Sequence, residues 1–215
     1  MAASTVHSFS FAGPAGDLEA LWKEPDAPRR GSAVLAHAHP AHGGNMHFKV
    51  IFRMARALAR SGFGVLRFNF RGVGASQGGH DEGRGEKDDV AAALDEAARR
   101  GGTPLLAGGF SFGSAMALTV GARDSRVRAM IGAGIPLDRW RLSDGDPVEK
   151  PTLVISGDRD EFADAVSLET EARRRFQNVR VEILSGADHF FSGQLDLFEA
   201  RVREFAAGLP FAEVA

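Results

Sequence analysis

A serine hydroxyl becomes a nucleophile only when a turn holds it clear of the backbone and a base takes its proton. Ser111 stands in the run GFSFG, Gly109–Gly113, directly after the apolar run PLLA (Pro104 to Ala107) and directly before the helical pattern FGSAMALTV. A strand that reverses sharply into a helix crowds the residues two before and two after the apex, so glycine at 109 and 113 has a steric reason. The base must be sought elsewhere. Seven histidines occur, and His189, in SGADHFFSG, is the one that follows Ser111 in the chain. A carboxylate must then fix the imidazole tautomer and steady the imidazolium that forms. Asp158, Asp160 and Glu161, in SGDRDEF after the apolar run TLVIS, are the candidates. The chemistry these types support is acyl transfer through a covalent serine intermediate.

Such groups work only on a scaffold that brings distant chain segments together. Short apolar runs at Ser32–Ala36, Gly64–Phe68, Pro104–Ala107, Val127–Ala133, Thr152–Ser156 and Val179–Leu184 read as strands. Between them, Phe48–Arg60, Glu86–Arg99, Phe112–Ala122, Phe162–Arg175 and Gln194–Ala207 repeat apolar residues at three- and four-residue spacing and read as helices. Upstream, HSFSFAG and DLEALW read as two antiparallel strands joined at Gly13–Gly16. The alternation predicts a mostly parallel, helix-covered sheet of about eight strands in one domain over residues 1–215.

Composition removes whole classes of function. The 215 residues carry a net charge of −2 and no cysteine, which excludes disulfides, thiolate metal sites and cysteine nucleophiles. Basic residues are scattered among acidic ones, so a nucleic-acid partner is not expected. No basic leader with an apolar core opens the sequence, and no apolar run reaches membrane-spanning length, so a cytoplasmic protein with no membrane partner is expected. His37, His39, His42 and His47 match no standard metal spacing, and packing or loop hydrogen bonds are their expected work. The run RGVGAS (Arg71–Ser76) lacks both the lysine of a phosphate-binding loop and the spacing of a dinucleotide fingerprint. No cofactor, metal or linker is expected, and the sequence carries no signal for oligomeric state.

GFSFG, SGDRDEF and GADHFF, together with HAHPAHGG and RFNFRGVGASQG upstream, resemble the α/β-hydrolase superfamily, in particular its compact carboxylesterase-like members without a lid. The order serine, acid, histidine is that of the superfamily and differs from those of chymotrypsin and subtilisin. The resemblance runs from Ser32 through Ala206 and implies an α/β-hydrolase fold: a mostly parallel central sheet, helices on both faces, no cap domain. It implies Ser111 as nucleophile, His189 as base and Asp160, three residues after the strand-ending Gly157, as the acid. Asp158 is then a turn former, and Glu161 a residue of the following helix. The oxyanion donors it implies are the backbone N–H groups of Phe112 and His39, with Ala41 in reserve, although Ala38 stands where relatives commonly have glycine.

Only eighteen residues, Gly134–Pro151, separate the runs where many relatives insert a cap, so the cleft is expected to be shallow and open. His42, Met46, Phe110, Leu137, Trp140 and Phe190 are expected to border it, with Phe191 nearby. The expected substrate is a small carboxylic ester. Thioesters or small amides would use the same machinery, and a non-enzymatic scaffold would have no need of all three polar groups.

Overall fold

Aliphatic and β-branched runs too short for helices form the sheet, and the longer amphipathic segments cover it. The computed structural model describes residues 5–142 and 145–212. Residues 1–4 of the amino-terminal segment read above for a leader, and residues 143–144 of the segment between two strands, lie outside them.

Strands β1 (Val6–Gly13) and β2 (Gly16–Lys23) pair antiparallel around the expected turn. There follow β3 (Gly31–Ala36), α1 (Lys49–Arg60), β4 (Phe63–Phe68), α2 (Arg84–Gly101), β5 (Leu105–Phe110) and α3 (Phe112–Arg123). The chain continues through β6 (Val127–Ala133), β7 (Thr152–Gly157), α4 (Ala165–Arg175), β8 (Val179–Leu184) and α5 (Leu195–Ala207). One eight-stranded sheet results, in the order β1-β2-β4-β3-β5-β6-β7-β8. β1 and β2 run antiparallel to their neighbours, and the other five pairings are parallel.

Both faces of the sheet are covered, so its central strands are buried and mostly apolar rather than alternating with polar residues. Alternate residues of β3 show the division. Val34 and Ala36 belong to the cluster that includes Val90 and Leu94 of α2, Met116 of α3 and Leu168 of α4. Ala33 and Leu35 belong to the other, with Ile51 and Met54 of α1 and Phe198 and Val202 of α5. On that second face the buried Glu199 of α5 accepts from Arg56 Nε (2.6 Å) and Arg53 Nη1 (3.0 Å), tying α5 to α1.

Two boundaries differ from the sequence reading by three residues, the others by two or fewer. β5 runs on through Gly108 and Gly109 to Phe110, because pairing with β3 and β6 on both sides outweighs the weak strand preference of glycine. α4 begins at Ala165 rather than Phe162, since the Asp164 side chain caps it by accepting from the Ser167 N–H at 2.8 Å. Between β6 and β7 the described residues form turns and one parallel bridge, Val148 to Phe176, and no helix. The fold is therefore a doubly wound α/β sheet without a cap. Among the described residues no helix is long and apolar enough to cross a membrane.

Candidate active site

The chain leaves β3 towards β4 on one side and leaves β5 towards β6 on the other, so the strand order reverses between β3 and β5. A crevice opens at the carboxyl ends of strands at such a point. Five loops meet there, following β3, β5, β6, β7 and β8.

Ser111 is the hinge residue between β5 and α3, with φ 54° and ψ −124°. A non-glycine residue in that region is strained and persists only where its surroundings hold it. Here its N–H donates to the Ala133 carbonyl of β6 at 2.9 Å, extending the sheet ladder to the apex of the turn. The flanking glycines are required by close approach: a Cβ on Gly109 would lie 2.4 Å from the Gly113 carbonyl carbon. One on Gly113 would lie 2.3 Å from the carbonyl oxygens of Ala36 and His37.

His189 reaches this serine from the loop after β8. Its Nε2 lies 3.1 Å from Ser111 Oγ, and its Nδ1 lies 2.9 and 3.0 Å from the two carboxylate oxygens of Asp160. The carboxylate accepts, so Nδ1 carries the proton and Nε2 is free to accept from the serine hydroxyl. Asp160 also accepts from Ser156 Oγ and the Phe162 N–H, both at 2.9 Å, which leaves its buried carboxylate one orientation. Asp158 faces elsewhere, accepting from the Gly186 N–H at 2.6 Å and Ser185 Oγ at 3.1 Å. The imidazole is buried among rings, with Phe162 centred 4.5 Å and Phe110 4.9 Å away. Its loop is closed by Asp188, whose side chain accepts from the N–H groups of Phe190 (3.1 Å) and Ser192 (2.8 Å). These bonds hold the Asp188 carboxyl below the usual carboxylate range.

The loop after β3 forms the opposite wall. His37 is fully buried: its Nδ1–H donates to the Ala38 carbonyl at 2.6 Å, and its Nε2 accepts the Phe70 N–H at 3.1 Å. Burial lowers its pKa from 6.5 to about 4, against the opposing pull of the Ala38 carbonyl. His39 follows at the start of the short 3-10 turn Pro40–His42, its Nδ1 accepting the Ala41 N–H at 3.2 Å. Partial burial, and then the neighbouring His80, His42 and Arg139, hold His39 below its ordinary pKa, with Glu86 pulling the other way. Among the described residues the backbone N–H groups of Phe112 and His39 have no hydrogen-bond acceptor. Phe112 N–H belongs to the first turn of α3, where no intrahelical acceptor exists.

A cavity of about 170 Å³ opens between these walls, beside Ser111 and His189. His39, His42, Phe112, Trp140 and Phe190 border it. Met46, Phe110 and Leu137 do not. Met46 is buried, its N–H bonded to Asn69 Oδ1 at 2.8 Å. Phe110 lies under the histidine as the last residue of β5, and Leu137 packs against the core of the α2–α3 face. Phe191 is likewise buried, its ring 4.5 Å from that of Phe198. Phe48, Phe162, Pro136 and Arg139 take their places in the wall. Among the described residues no three His, Asp or Glu side chains converge as metal ligands; the His39 ring meets that of His42 edge-on at 4.9 Å and that of His80 at a tilt at 4.7 Å.

Residues 31–196 match the family model described as an alpha/beta hydrolase domain. An uncharacterized protein of Rickettsia prowazekii is 31% identical over 205 residues, covering 91% of this chain and 86% of that one. An alpha-beta serine hydrolase homologue from Coxiella burnetii superposes with a TM-score of 0.86 at 32% identity, over 92% of this chain and 96% of its own. A Xanthomonas campestris protein described as a serine hydrolase without a lid gives 0.85 at 30% identity, over 99% and 98%.

Proposed function

The chain belongs to the α/β hydrolase family, and on that premise we propose that it is a serine esterase, cleaving small carboxylic esters through an acyl-enzyme. The observation that carries the reading is the continuous hydrogen-bonded line from Ser111 Oγ through the His189 ring to Asp160. In the first step Ser111 Oγ bonds to the ester carbonyl carbon while its proton passes to His189 Nε2. The carbonyl oxygen becomes an oxyanion, which the Phe112 and His39 N–H groups are free to receive. As the tetrahedral intermediate collapses, Nε2–H protonates the departing alkoxide and the acyl group stays on Oγ. Water then gives a proton to Nε2 and adds to the acyl carbon, and the same proton returns to Oγ as the acid leaves. Asp160 keeps the proton on Nδ1 throughout and stabilises the imidazolium.

Cavity size bears on the substrate. About 170 Å³ is well below the roughly 300–1,000 Å³ of pockets that enclose drug-sized ligands, so the acyl group is short. The decisive experiment is labelling with a fluorophosphonate probe, with the adduct mapped by mass spectrometry. Ser111 is the expected site, and Ser111→Ala is expected to lose labelling together with several orders of magnitude of ester turnover. An adduct on another serine, or undiminished hydrolysis by the variant, refutes the reading. Matched ester, thioester and amide substrates rank the scissile bonds.

A further inference from the structure

Among the described residues, the wall of the cavity beside Ser111 contains one permanently charged side chain, Arg139, and no carboxylate. Arg139 is carried on the turn Pro136–Trp140, where the N–H groups of Arg139 (3.2 Å) and Trp140 (3.0 Å) both return to the Pro136 carbonyl. Its neighbour Asp138 forms a loose ion pair with Nε at 3.7 Å, beyond hydrogen-bond distance, with side chains 60% and 49% exposed. Among the described residues no carboxylate is hydrogen-bonded to the guanidinium, and so weak and solvated a pair leaves its donors available to a ligand in the cavity that Arg139 lines. Across the cavity stand His39 and His42, and the charge of Arg139 is among those that disfavour a proton on His39. The remaining wall is aromatic: Phe48, Phe112, Trp140 and Phe162. A neutral acyl group would be held by the apolar wall and would leave the guanidinium only its loose pair with Asp138. A carboxylate a few bonds from the scissile carbonyl would meet a planar, permanently charged partner able to hold both its oxygens.

We infer that Arg139 is a specificity-determining residue that recognises a free carboxylate on the substrate, so that the preferred esters are short and anionic, such as half-esters of small dicarboxylic acids. This rests on Ser111 acting as the esterase nucleophile. The test compares mono-p-nitrophenyl succinate with p-nitrophenyl methyl succinate, which keeps the chain and caps the charge. Wild-type protein is expected to favour the charged ester by about tenfold in kcat/KM, mainly through KM, because the guanidinium contacts a group remote from the reacting bond. Raising ionic strength should shrink that ratio. In Arg139→Gln it should fall to about one, and Arg139→Lys should retain part of it. A wild-type ratio near one, or a ratio that survives in Arg139→Gln, overturns the inference.

Binding separates its failure from failure of the esterase reading. Trp140 borders the cavity whereas Trp22 is buried in β2, so quenching of Trp140 fluorescence reports occupancy. Succinate and succinamide are titrated into Ser111→Ala with and without Arg139→Gln. Arg139-dependent binding of succinate alone supports the carboxylate site even if neither ester is hydrolysed, in which case only the esterase reading falls. Equal hydrolysis of both esters, with no preference for succinate over succinamide, leaves the esterase reading standing and removes the carboxylate site.

Discussion

Asp158 and Asp160 are two positions apart, and their carboxylates have no neighbour in common. Asp160 is buried, with Ser156 Oγ, the Phe162 N–H and His189 Nδ1 arranged around its two oxygens. Asp158 closes the Ser185–Gly186 turn on the surface. Asp160→Asn would place an amide where the carboxylate receives Nδ1–H, and a donor facing Nδ1 favours the wrong tautomer. Turnover on a short p-nitrophenyl ester is expected to fall roughly 10³–10⁴-fold with the fold intact. Asp158→Asn keeps an acceptor for Gly186 and should cost no more than about 1 kcal/mol of stability. The opposite ranking, measured in variants with native circular dichroism, would assign the acid to Asp158. Gly134 belongs to the same neighbourhood: its φ is 53°, and a Cβ there would lie 3.1 Å from His189 Cε1. Nothing local in the sequence marks it, since its constraint comes from a ring 55 residues away.

At the level of elements, the site depends on two strand ends being braced against each other. His37 does this between the ends of β3 and β4, its Nδ1–H donating to the Ala38 carbonyl and its Nε2 accepting from the Phe70 N–H, and the bond to Phe70 needs the neutral ring. The folded protein holds His37 neutral down to about pH 4, whereas the unfolded chain protonates it near 6.5. Between those values the unfolded state binds more protons, so stability falls as pH is lowered. The contribution is fully present above about pH 6.5 and is lost by about pH 4. A gap of that size corresponds to about 3 kcal/mol. Urea denaturation at intervals from pH 7 to pH 4 should show this loss in the wild type and a shallower slope in His37→Gln, which cannot titrate. Equal slopes would mean that His37 is protonated in the folded state. The segment Phe162–Asp164 teaches a related point. Its apolar spacing looks helical, yet Asp164 caps the helix and leaves Phe162 outside it, against the His189 ring. Asp three residues before Ser167 was a legible capping signal; the ring's destination was not.

For the whole molecule, the consequence of a doubly wound sheet without a cap is a mouth formed by loop side chains alone. Phe190, 47% exposed, stands at the edge of the cavity with nothing above it. Each methylene buried contributes about 0.8 kcal/mol, and that gain stops where the wall ends. In a series of p-nitrophenyl esters, kcat/KM is expected to peak at acyl chains of roughly four carbons or fewer. No rate increase is expected as substrate passes its solubility limit, because no lid is available to open. A maximum at long chains, or activation at an interface, would show a deeper acyl site. The sequence by itself determined the sheet, the helices and two of the polar groups, for local physical reasons. Period and length separate strands from helices, glycines at 109 and 113 are demanded by one tight turn, and His189 is the one histidine after the serine. The residue types alone left three carboxylates open and the family resemblance pointed to Asp160, which the structure sets against the ring; tertiary structure alone decided that Met46, Phe110 and Leu137 turn into the core, and that Phe48, Phe162 and Arg139 line the cavity. The direction of a loop side chain is set by what packs against it, and those partners lie tens of residues away in the chain.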